Sequence, residues 1–591
     1  MPIVKVTDCG KGVNRDLPPF ELAPGQWSDC MNARFRNGLA EKRKGVAAAF
    51  TTPAITPYWG CTYLTISARF LVEAGSAKVY VDDATTQTQI TRYTEGVEIA
   101  SSTNSTTTAT VNTSTPHGRT TGQTITRYGA FPAAYNGTFV ITVSDADTFT
   151  YTMLSDPGGS ATVQGQYSYN VQSDFTGTRD DRWTGGTFNG VLVLNNGVDA
   201  PQYWNGDVTT RLRKFPGWLA GQKCDALVIF KNYLIALAPT IDGVKQPHTI
   251  LWAAAAEPGA MPTEWTATTT NDAGATPQAA ETGGFMVDGS PFGDTLYAFK
   301  QDARFGVQYI GGNDVFRVFR VPGNDGLLTR GCIANTPKGQ VFLSDGDVKI
   351  HSGGEAQSII DGVNRRWLFN TMDTTYAARS FVVTNPQKNE VWICFPTVGN
   401  TDCDRALVWN WVDRTWGDFS IAGMTFGTIG LVASTLNTGT IDGDSDPIDT
   451  DATTNDENEY SPNESRLILF HSTPKIGLAD TGSTDFGSTV PFMLEKTGIS
   501  FDDSETVKVI SATRPQISSA PGAVLSIYHG GAMTADADPT YGGAITFIVG
   551  TSNWADGFGP SGRYLAHKII STDFPIVSLR SDDFNFGVVG R

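Results

Sequence analysis

The chain of 591 residues has few of the side chains from which most catalytic and metal sites are built. It contains six histidines, and none stands in a His-Glu-x-x-His motif. It also lacks a Gly-x-Ser-x-Gly nucleophile turn and a phosphate-binding loop. We therefore predict no catalytic, cofactor-binding or metal-binding residues and no enzymatic activity. The carboxylate pair of a glycoside hydrolase stays open at this stage, because that pair is defined in space and not in sequence.

Cysteine is sparse and has no pattern. The seven cysteines are too far apart for a zinc motif or a dense disulfide framework, and their number is odd. We expect reduced, mostly buried thiols in a protein made in a cytoplasm. They are Cys9, Cys30, Cys61, Cys224, Cys332, Cys394 and Cys403.

Long apolar runs and helical periodicity are also missing. The most apolar run, residues 226–238, is interrupted by Lys231 and Asn232 and is too short to span a bilayer. The first residues lack the apolar core of a signal peptide. No long segment repeats apolar residues at i, i+3, i+4 and i+7, so we expect few helices and no membrane-spanning segment.

Charge is low, and its balance is acidic. Charged residues make up 17% of the chain, and 43 Lys and Arg against 60 Asp and Glu give a net charge of −17. A protein that holds nucleic acid through its phosphates needs the opposite balance. An acidic wall repels phosphates, so DNA can pass along it without specific binding. The low total charge also suits large subunit interfaces.

Glycine (63), proline (30) and aromatic residues (11%) are abundant, which predicts many short strands joined by turns. The length requires several domains. Within residues 51–97 and 171–489, an apolar strand, a turn and a strand ending in an aromatic residue recur at about blade length. We predict an all-β fold with a β-propeller-like body; a stack of β-sandwiches is the alternative. The repeats begin near Phe188, Ala226, Thr295, Gln340 and Asn389.

Residues 98–170 differ in composition from the rest and are predicted to form an inserted small β-sandwich module. Their first part consists almost entirely of Ser, Thr, Asn, Ala and Val. Residues 138–143 and 148–153 alternate in polarity and are predicted to pair as a hairpin.

This inserted module resembles small β-sandwich modules of phage tail and fibre proteins. The matching sequences are Pro116-His117-Gly118, Tyr135-Asn136-Gly137-Thr138 and Phe149-Thr150-Tyr151-Thr152. We expect His117 to hydrogen-bond backbone groups within its turn and not to bind a ligand.

Two further segments follow the body. Residues 437–465 are predicted to form an exposed acidic loop. Asp442, Asp444 and Asp446 alternate as in a calcium loop, but the glycine and the closing glutamate of such a loop are not at the required positions. Residues 490–591 are predicted to form a C-terminal β-sandwich platform.

Two features of the body could be linked to glycans. The sequence Ser344-Asp345-Gly346-Asp347 faintly resembles the aspartate box of sialidase propellers, but a tight turn is the favoured interpretation. A second set of side chains could stack on sugars if exposed, although aromatic residues at blade ends usually belong to the core. This set is Trp204, Trp409, Trp411 and Trp416.

Residues 1–50 are predicted to form an extended segment and a hairpin. Within them the N-terminal segment, residues 10–45, has the clearest local signal. Asn37-Gly38 lies between two short alternating runs and predicts a two-residue hairpin turn. Folding there places Phe35 opposite Ala40, and Arg34 opposite Glu41 as a cross-strand ion pair.

The same segment resembles the N-terminal segment of phage tail nozzle proteins, also called tail tubular protein B or tail stabilisation proteins, of short-tailed phages. The sequences that carry the resemblance are Gly-Val-Asn-Arg-Asp, Leu-Ala-Pro-Gly-Gln-Trp-Ser, Asn-Ala-Arg-Phe-Arg-Asn-Gly and Glu-Lys-Arg-Lys-Gly. Residues 562–566, 584–586 and 590–591 resemble the closing strands of that family. A tryptophan common in the family near Val577 is missing here.

The resemblance implies a hexameric ring in the virion tail, assembled in the host cytoplasm. This ring would be a tube below the portal and adaptor that supports tail fibres and through which the double-stranded genome leaves. We expect residues 10–45 to pack against residues 490–591. The alternative function is a glycan-binding or glycan-cleaving propeller of a tail fibre or tailspike, and a third is a propeller scaffold unrelated to phage.

Overall fold

The computed structural model describes residues 3–65, 68–218, 221–433, 463–571 and 577–590. Half of the chain is strand and 5% is helix, which confirms the all-β prediction with a β-propeller-like body. Asp442, Asp444 and Asp446, and all but the last few residues of the acidic segment 437–465, lie outside the described residues. In the described part of the chain, no helix is long and apolar enough to cross a membrane.

The chain divides into two compact units. Unit 1 comprises Met1–Thr62 and Gly331–Arg591, and unit 2 comprises Tyr63–Arg330. The strands of the predicted propeller-like body are therefore shared between the two units. The described residues contain one α-helix, α1 (Arg365–Thr371), and six 3-10 turns: Pro19–Glu21, Ala133–Tyr135, Gln278–Glu281, Gly312–Asp314, Ala377–Arg379 and Pro386–Lys388.

Unit 1 begins with short strands, each of which pairs with a strand far along the chain or with its neighbour in the hairpin. These strands are β1 (Ile3–Thr7), β2 (Asp29–Met31), β3 (Ala33–Arg36), β4 (Leu39–Lys42) and β5 (Val46–Ala48). The next strand, β6 (Trp59–Leu64), crosses the boundary between the units.

Unit 2 continues with blade-like antiparallel sheets whose strand order largely follows the chain. The first sheet consists of β6 with β7 (Arg69–Ala74), β8 (Val79–Asp82) and β9 (Gln87–Gln89).

The inserted module follows the first sheet and consists of two further four-stranded sheets. Its strands are β10 (Tyr93–Glu95), β11 (Ile99–Ser105), β12 (Thr108–Thr113), β13 (Thr124–Tyr128), β14 (Gly137–Val140), β15 (Thr142–Val143), β16 (Thr148–Thr152) and β17 (Gln166–Gln172). One sheet has the order β10-β17-β13-β14 and the other β11-β12-β16-β15.

The module buries an aromatic core that includes Tyr135, Phe149 and Tyr167. The predicted hairpin of residues 138–143 with 148–153 is only partly correct. The short β15 pairs with β16, but β14 pairs with β13 in the other sheet.

His117 of the module behaves as its turn predicts. Its backbone N–H donates to the carbonyl of Ala146 at 3.0 Å, and its Nδ1 accepts from the backbone N–H of Arg119 at 3.0 Å.

Three more sheets complete unit 2. The first contains β18 (Thr184–Phe188), β19 (Val191–Asn195), β20 (Gln202–Trp204) and β21 (Arg213–Lys214). The second contains β22 (Lys223–Phe230), β23 (Tyr233–Ile241), β24 (Val244–Lys245), β25 (Ile250–Trp252) and β26 (Gly274–Thr276). The third contains β27 (Met286–Phe292), β28 (Thr295–Lys300), β29 (Arg304–Tyr309) and β30 (Phe316–Arg320).

These last three sheets of unit 2 pack in sequence through shared apolar clusters. Phe188 and Val193 of the first sheet share a cluster with Leu227 of the second. Leu237 of the second shares another with Phe305 of the third. A middle sheet covered on both faces requires apolar residues at successive positions, which explains why β23 reads as a continuous apolar run.

Unit 1 resumes with the sheet β31 (Ile333–Thr336), β32 (Gly339–Ser344), β33 (Asp347–His351) and β34 (Gln357–Ser358). The large sheet of unit 1 includes β35 (Phe381–Asn385), β36 (Glu390–Phe395), β37 (Cys403–Asn410), β38 (Trp416–Ala433), β39 (Asn463–His471), β40 (Lys475–Ala479), β41 (Thr484–Asp485) and β42 (Ser488–Thr489). Strands β38 and β39 remain paired as far as Ala433 and Asn463, next to the described ends of this part of the chain.

The C-terminal platform, defined here as residues 490–591, contributes to two sheets. Its strands are β43 (Phe492–Ile499), β44 (Val507–Ser518), β45 (Val524–Ala532), β46 (Thr540–Tyr541), β47 (Ile545–Ile548), β48 (Ala555–Asp556), β49 (Tyr564–Ser571) and β50 (Ser578–Gly590). Strands β44, β48 and β50 extend the large sheet, whereas β43, β49, β45, β46 and β47 form a separate sheet with β2. Ile499 and Leu565 of this separate sheet pack on Ile510 and Phe584 of the large sheet.

Unit 2 contains a buried carboxyl group that makes stability depend on pH. Glu73 on β7 is fully buried, and Gln87 donates to its Oε2 at 2.6 Å. Burial, reinforced by Asp82, raises the pKa of Glu73 from 4.5 to about 8. Between these two pH values the folded chain holds a proton that the unfolded chain releases, so the free energy of unfolding falls as pH rises through this window.

We expect Glu73→Gln to remove this pH dependence. At pH 8.5 the variant should be more stable than the wild type by on the order of 5 kcal/mol, and the difference should vanish below pH 4.5. Hydrogen exchange of strands β7–β9 across this pH range measures the effect. Exposed Glu257, changed to Gln, is the matched control. An unchanged pH slope in Glu73→Gln would contradict the assignment.

Candidate functional site

The N-terminal segment forms the hairpin that its sequence predicts. Strands β3 and β4 pair with Arg34 opposite Glu41 and Phe35 opposite Ala40. Asn37 and Gly38 have φ values of 51° and 74°. Positive φ at both central residues is what a two-residue turn with the twist of its strands requires, and Asn and Gly tolerate it best.

The predicted Arg34–Glu41 ion pair is wrong, although the register is right. Arg34 Nη2 donates to Asp480 Oδ2 at 2.7 Å and to Glu390 Oε2 at 3.0 Å. Glu41 accepts instead from Arg36 Nε at 2.8 Å. Arg34 is buried and can keep its charge only where carboxylates surround it, whereas the partly exposed Arg36 needs a single partner.

The electrostatics of this cluster keep Arg34 charged. Burial opposes the charge, but Asp480 and Glu390 together raise the pKa of Arg34. Burial raises the pKa of Glu390, and the interaction with Arg34 opposes that rise. The pKa of Asp480 is lowered although burial works against it, because Arg34 lies beside it and Asn385 donates to it.

A second guanidinium, that of Arg15, lies between the segment and β38. Its Nη2 donates to Asp29 Oδ1 at 2.6 Å and to Asp418 Oδ2 at 2.7 Å. The guanidinium lies 3.9 Å from the ring centre of Trp367. Asp418 is fully buried and also accepts from Arg405, so two cations neutralise one carboxylate.

A third guanidinium, that of Arg43, is held through Asn32. Its Nε donates to Asn32 Oδ1 at 2.8 Å, and its Nη1 donates to Asp485 Oδ1 at 2.8 Å. Asn32 Oδ1 also accepts from the backbone N–H of Ser420 at 2.8 Å, and its Nδ2 donates to the carbonyl of Pro491 at 2.7 Å. One amide thus joins the segment, the large sheet and the start of the platform.

Backbone pairing makes the contact between residues 10–45 and 490–591 that the resemblance implies. Strand β2 pairs with β43, with Cys30 opposite Leu494, and β4 pairs with β50, with Ala40 opposite Leu579. The indole of Trp27 donates to the carbonyl of Cys9 at 2.9 Å beneath these strands.

We call Arg15, Arg34, Arg43 and their carboxylate and amide partners the arginine network. Its cations are buried and fully charged, and their side chains have no basic or nucleophilic lone pair to offer a substrate. The guanidinium groups can therefore fix chain segments relative to each other.

The remaining sequence candidates have structural positions. Ser344 pairs with Asp347, so Asp345 and Gly346 form a two-residue turn between β32 and β33, as predicted. The four tryptophans at blade ends are 1–6% exposed and belong to the core, which is the favoured interpretation, and stacking on sugars is not supported: Trp204, Trp409, Trp411 and Trp416. All seven cysteines are free thiols. In the described ranges, no three or more His, Cys, Asp or Glu residues are grouped as a metal site.

Sequence reasoning missed the acidic half of the arginine network. Glu390 and Asp418 lie more than 350 residues after the arginines that they bind, so no local pattern links them to the segment. A signal did exist: Glu390 begins the apolar run Glu-Val-Trp-Ile-Cys-Phe and lies fully within a buried strand. A carboxylate in such a run requires a cation in the core.

We expect Arg34→Ala to destabilise unit 1 by about 3–5 kcal/mol, because Glu390 and Asp480 would remain buried without their cation. Arg36→Ala, in the same strand, removes a partly exposed pair and should cost less than about 1 kcal/mol. Urea unfolding of both variants measures the difference. Equal losses would show that burial of the pair does not matter.

Neither a family model nor a curated protein sequence matches the chain. Among solved structures, a phage phi92 endosialidase is 9% identical with a TM-score of 0.18, over 60% of this chain and 52% of its own. YjhT is 9% identical with a TM-score of 0.27, over 62% and 99%. The Neurospora crassa Pan2 WD40 domain is 9% identical with a TM-score of 0.26, over 76% and 97%. This chain thus spans about half of the endosialidase, and similarities this low carry no argument about function.

Proposed function

We propose that this chain is a structural virion protein that forms the ring-shaped tail nozzle of a short-tailed phage. The observation that carries the proposal is the position of the residues by which the chain resembles nozzle proteins. Arg15, Trp27, Asn32, Arg34 and Arg43 all lie in the N-terminal segment that resembles the family. Arg15, Arg34 and Arg43 hold that segment to the large sheet. Asn32 holds it to the platform, and Trp27 donates within the N-terminal part of the chain.

A motif of this kind suits a segment that fixes parts of the folded chain to each other. Its residues are committed to buried ion pairs and backbone carbonyls, so their chemistry serves assembly of the subunit and not turnover of a substrate. In the proposed nozzle, the platform faces the portal and adaptor, and six subunits close the ring.

The charge of the chain supports a conduit role. With a net charge of −17, the walls of a ring of these subunits repel the phosphates of double-stranded DNA. DNA is then neither held by phosphate contacts nor read in sequence, and it can pass during genome ejection. Tail fibres would attach to the outside of the ring.

We expect the purified full-length chain to form closed rings with a central hole in negative-stain images. Mass photometry should give a mass six times that of one chain. The experiment is done with the chain alone and again with the adaptor protein added as a template. The variant Arg34→Ala should lose the rings because unit 1 is destabilised, whereas Arg36→Ala should keep them. Monomers under both conditions would overturn the nozzle proposal.

The competing function, a glycan-cleaving propeller, predicts a different result. We expect no release of reducing ends when the full-length chain is incubated with host polysaccharide. Released sugar, in amounts that scale with protein concentration, would contradict a purely structural role.

A further inference from the structure

One cavity of unit 1 lies outside the arginine network. It has a volume of about 550 Å³ and lies between the N-terminal segment, the sheet β31–β34 and the turn from β37 to β38. This volume is typical of a site for a small molecule. Its lining includes three indole rings and three cationic side chains: Trp409, Trp411, Trp416, Lys11, Lys338 and Arg414.

The cations of the cavity are not used by the fold. Lys11, Lys338 and Arg414 are exposed, and none has an ion pair with a described residue. No carboxylate lines the cavity, although the chain has 60 acidic residues and only 43 basic ones. The neighbouring Asp413 is directed elsewhere, since it accepts from the backbone N–H of Asn37 at 3.1 Å.

The three tryptophan side chains of the cavity supply hydrogen-bond donors and no acceptors. The rings of Trp409 and Trp416 lie 6.3 Å apart, and all three tryptophans are largely buried. None of their three indole N–H groups donates to an acceptor in the described ranges, and none is sealed from solvent. Trp is a donor only, so these groups are available to donate to the acceptors of a bound ligand.

The elements that carry these groups are firmly placed. The backbone N–H of Val13 donates to the carbonyl of Trp416 at 2.9 Å, and that of Trp411 donates to the carbonyl of Asn389 at 3.0 Å. The turn that carries Arg414 is closed by the side chain of Asn410, which accepts from Val412 and Asp413. The cavity is therefore preorganised, which reduces the cost of binding.

We propose that this cavity binds an acidic sugar, a pyranose that carries a carboxylate or a sulfate. The anionic group pairs with the cations at the rim, and the hydroxyl and ring oxygens accept from the indole edges. The proposal goes beyond the nozzle function and does not depend on it.

Titration calorimetry of the full-length chain with glucuronic acid at low ionic strength tests this site. We expect glucuronic acid to bind and to quench tryptophan fluorescence, and glucose to bind at least about tenfold more weakly. A glucuronate-containing tetrasaccharide distinguishes a site for the free sugar from one for the same group within a polymer. Binding of hexaglutamate in place of the sugar would overturn the sugar assignment, and binding of neither would overturn the site.

Substitutions of the cations at the rim show whether binding depends on this cavity or on cations elsewhere in the chain. Lys11→Gln with Lys338→Gln should weaken glucuronic acid binding at least about tenfold, and so should Arg414→Asn, which suits the positive φ of 58° at that position. Lys44→Gln, an exposed lysine outside the cavity, is the matched control and should bind as the wild type does. Unchanged melting temperatures show that the variants are folded. Equal affinity in all variants would place the ligand elsewhere and refute the proposal.

Discussion

A guanidinium that leaves water must be surrounded by carboxylates, and this requirement governs the assembly of unit 1. Removing an ion from water costs several kcal/mol, which the fold recovers only when partners meet it at hydrogen-bonding distance. Arg34 reaches Glu390 and Asp480, and Arg15 reaches Asp418. Each pair joins strands that are hundreds of residues apart. A shift of β3 by one residue would turn Arg34 to the opposite face and leave two acids unpaired, so the network also fixes strand register.

The local features were predictable because they depend on neighbours in sequence. The turn at Asn37-Gly38, the register of Phe35 against Ala40 and the tight turn at Ser344–Asp347 follow from backbone preferences and strand alternation. The all-β class and the sandwich-like module follow from the same short-range signals. The ion-pair partners were not predictable, because the choice between Glu41 and Glu390 for Arg34 is made by burial. Burial is a property of the whole fold.

The tryptophans also show that burial could not be read from the sequence. Their spacing at strand ends indicated either sugar-stacking platforms or core residues, and sequence could not weigh ring exposure. The structure buries most of Trp409, Trp411 and Trp416 and places all three in the lining of a cavity. The sequence therefore named the relevant residues, whereas the way in which they could meet a ligand became visible only with the packing around them.

The pairing of the first described strand with the last imposes an order on biosynthesis. Strand β1 pairs with β50, and β2 pairs with β43. At ribosomal rates of about 5–20 residues per second, the N-terminal segment waits on the order of tens of seconds before these partners leave the ribosome. Unit 2 is one continuous stretch of chain and can fold during that interval. Closure of unit 1 is then a late event, because it must wait until strands β43 and β50 have been made.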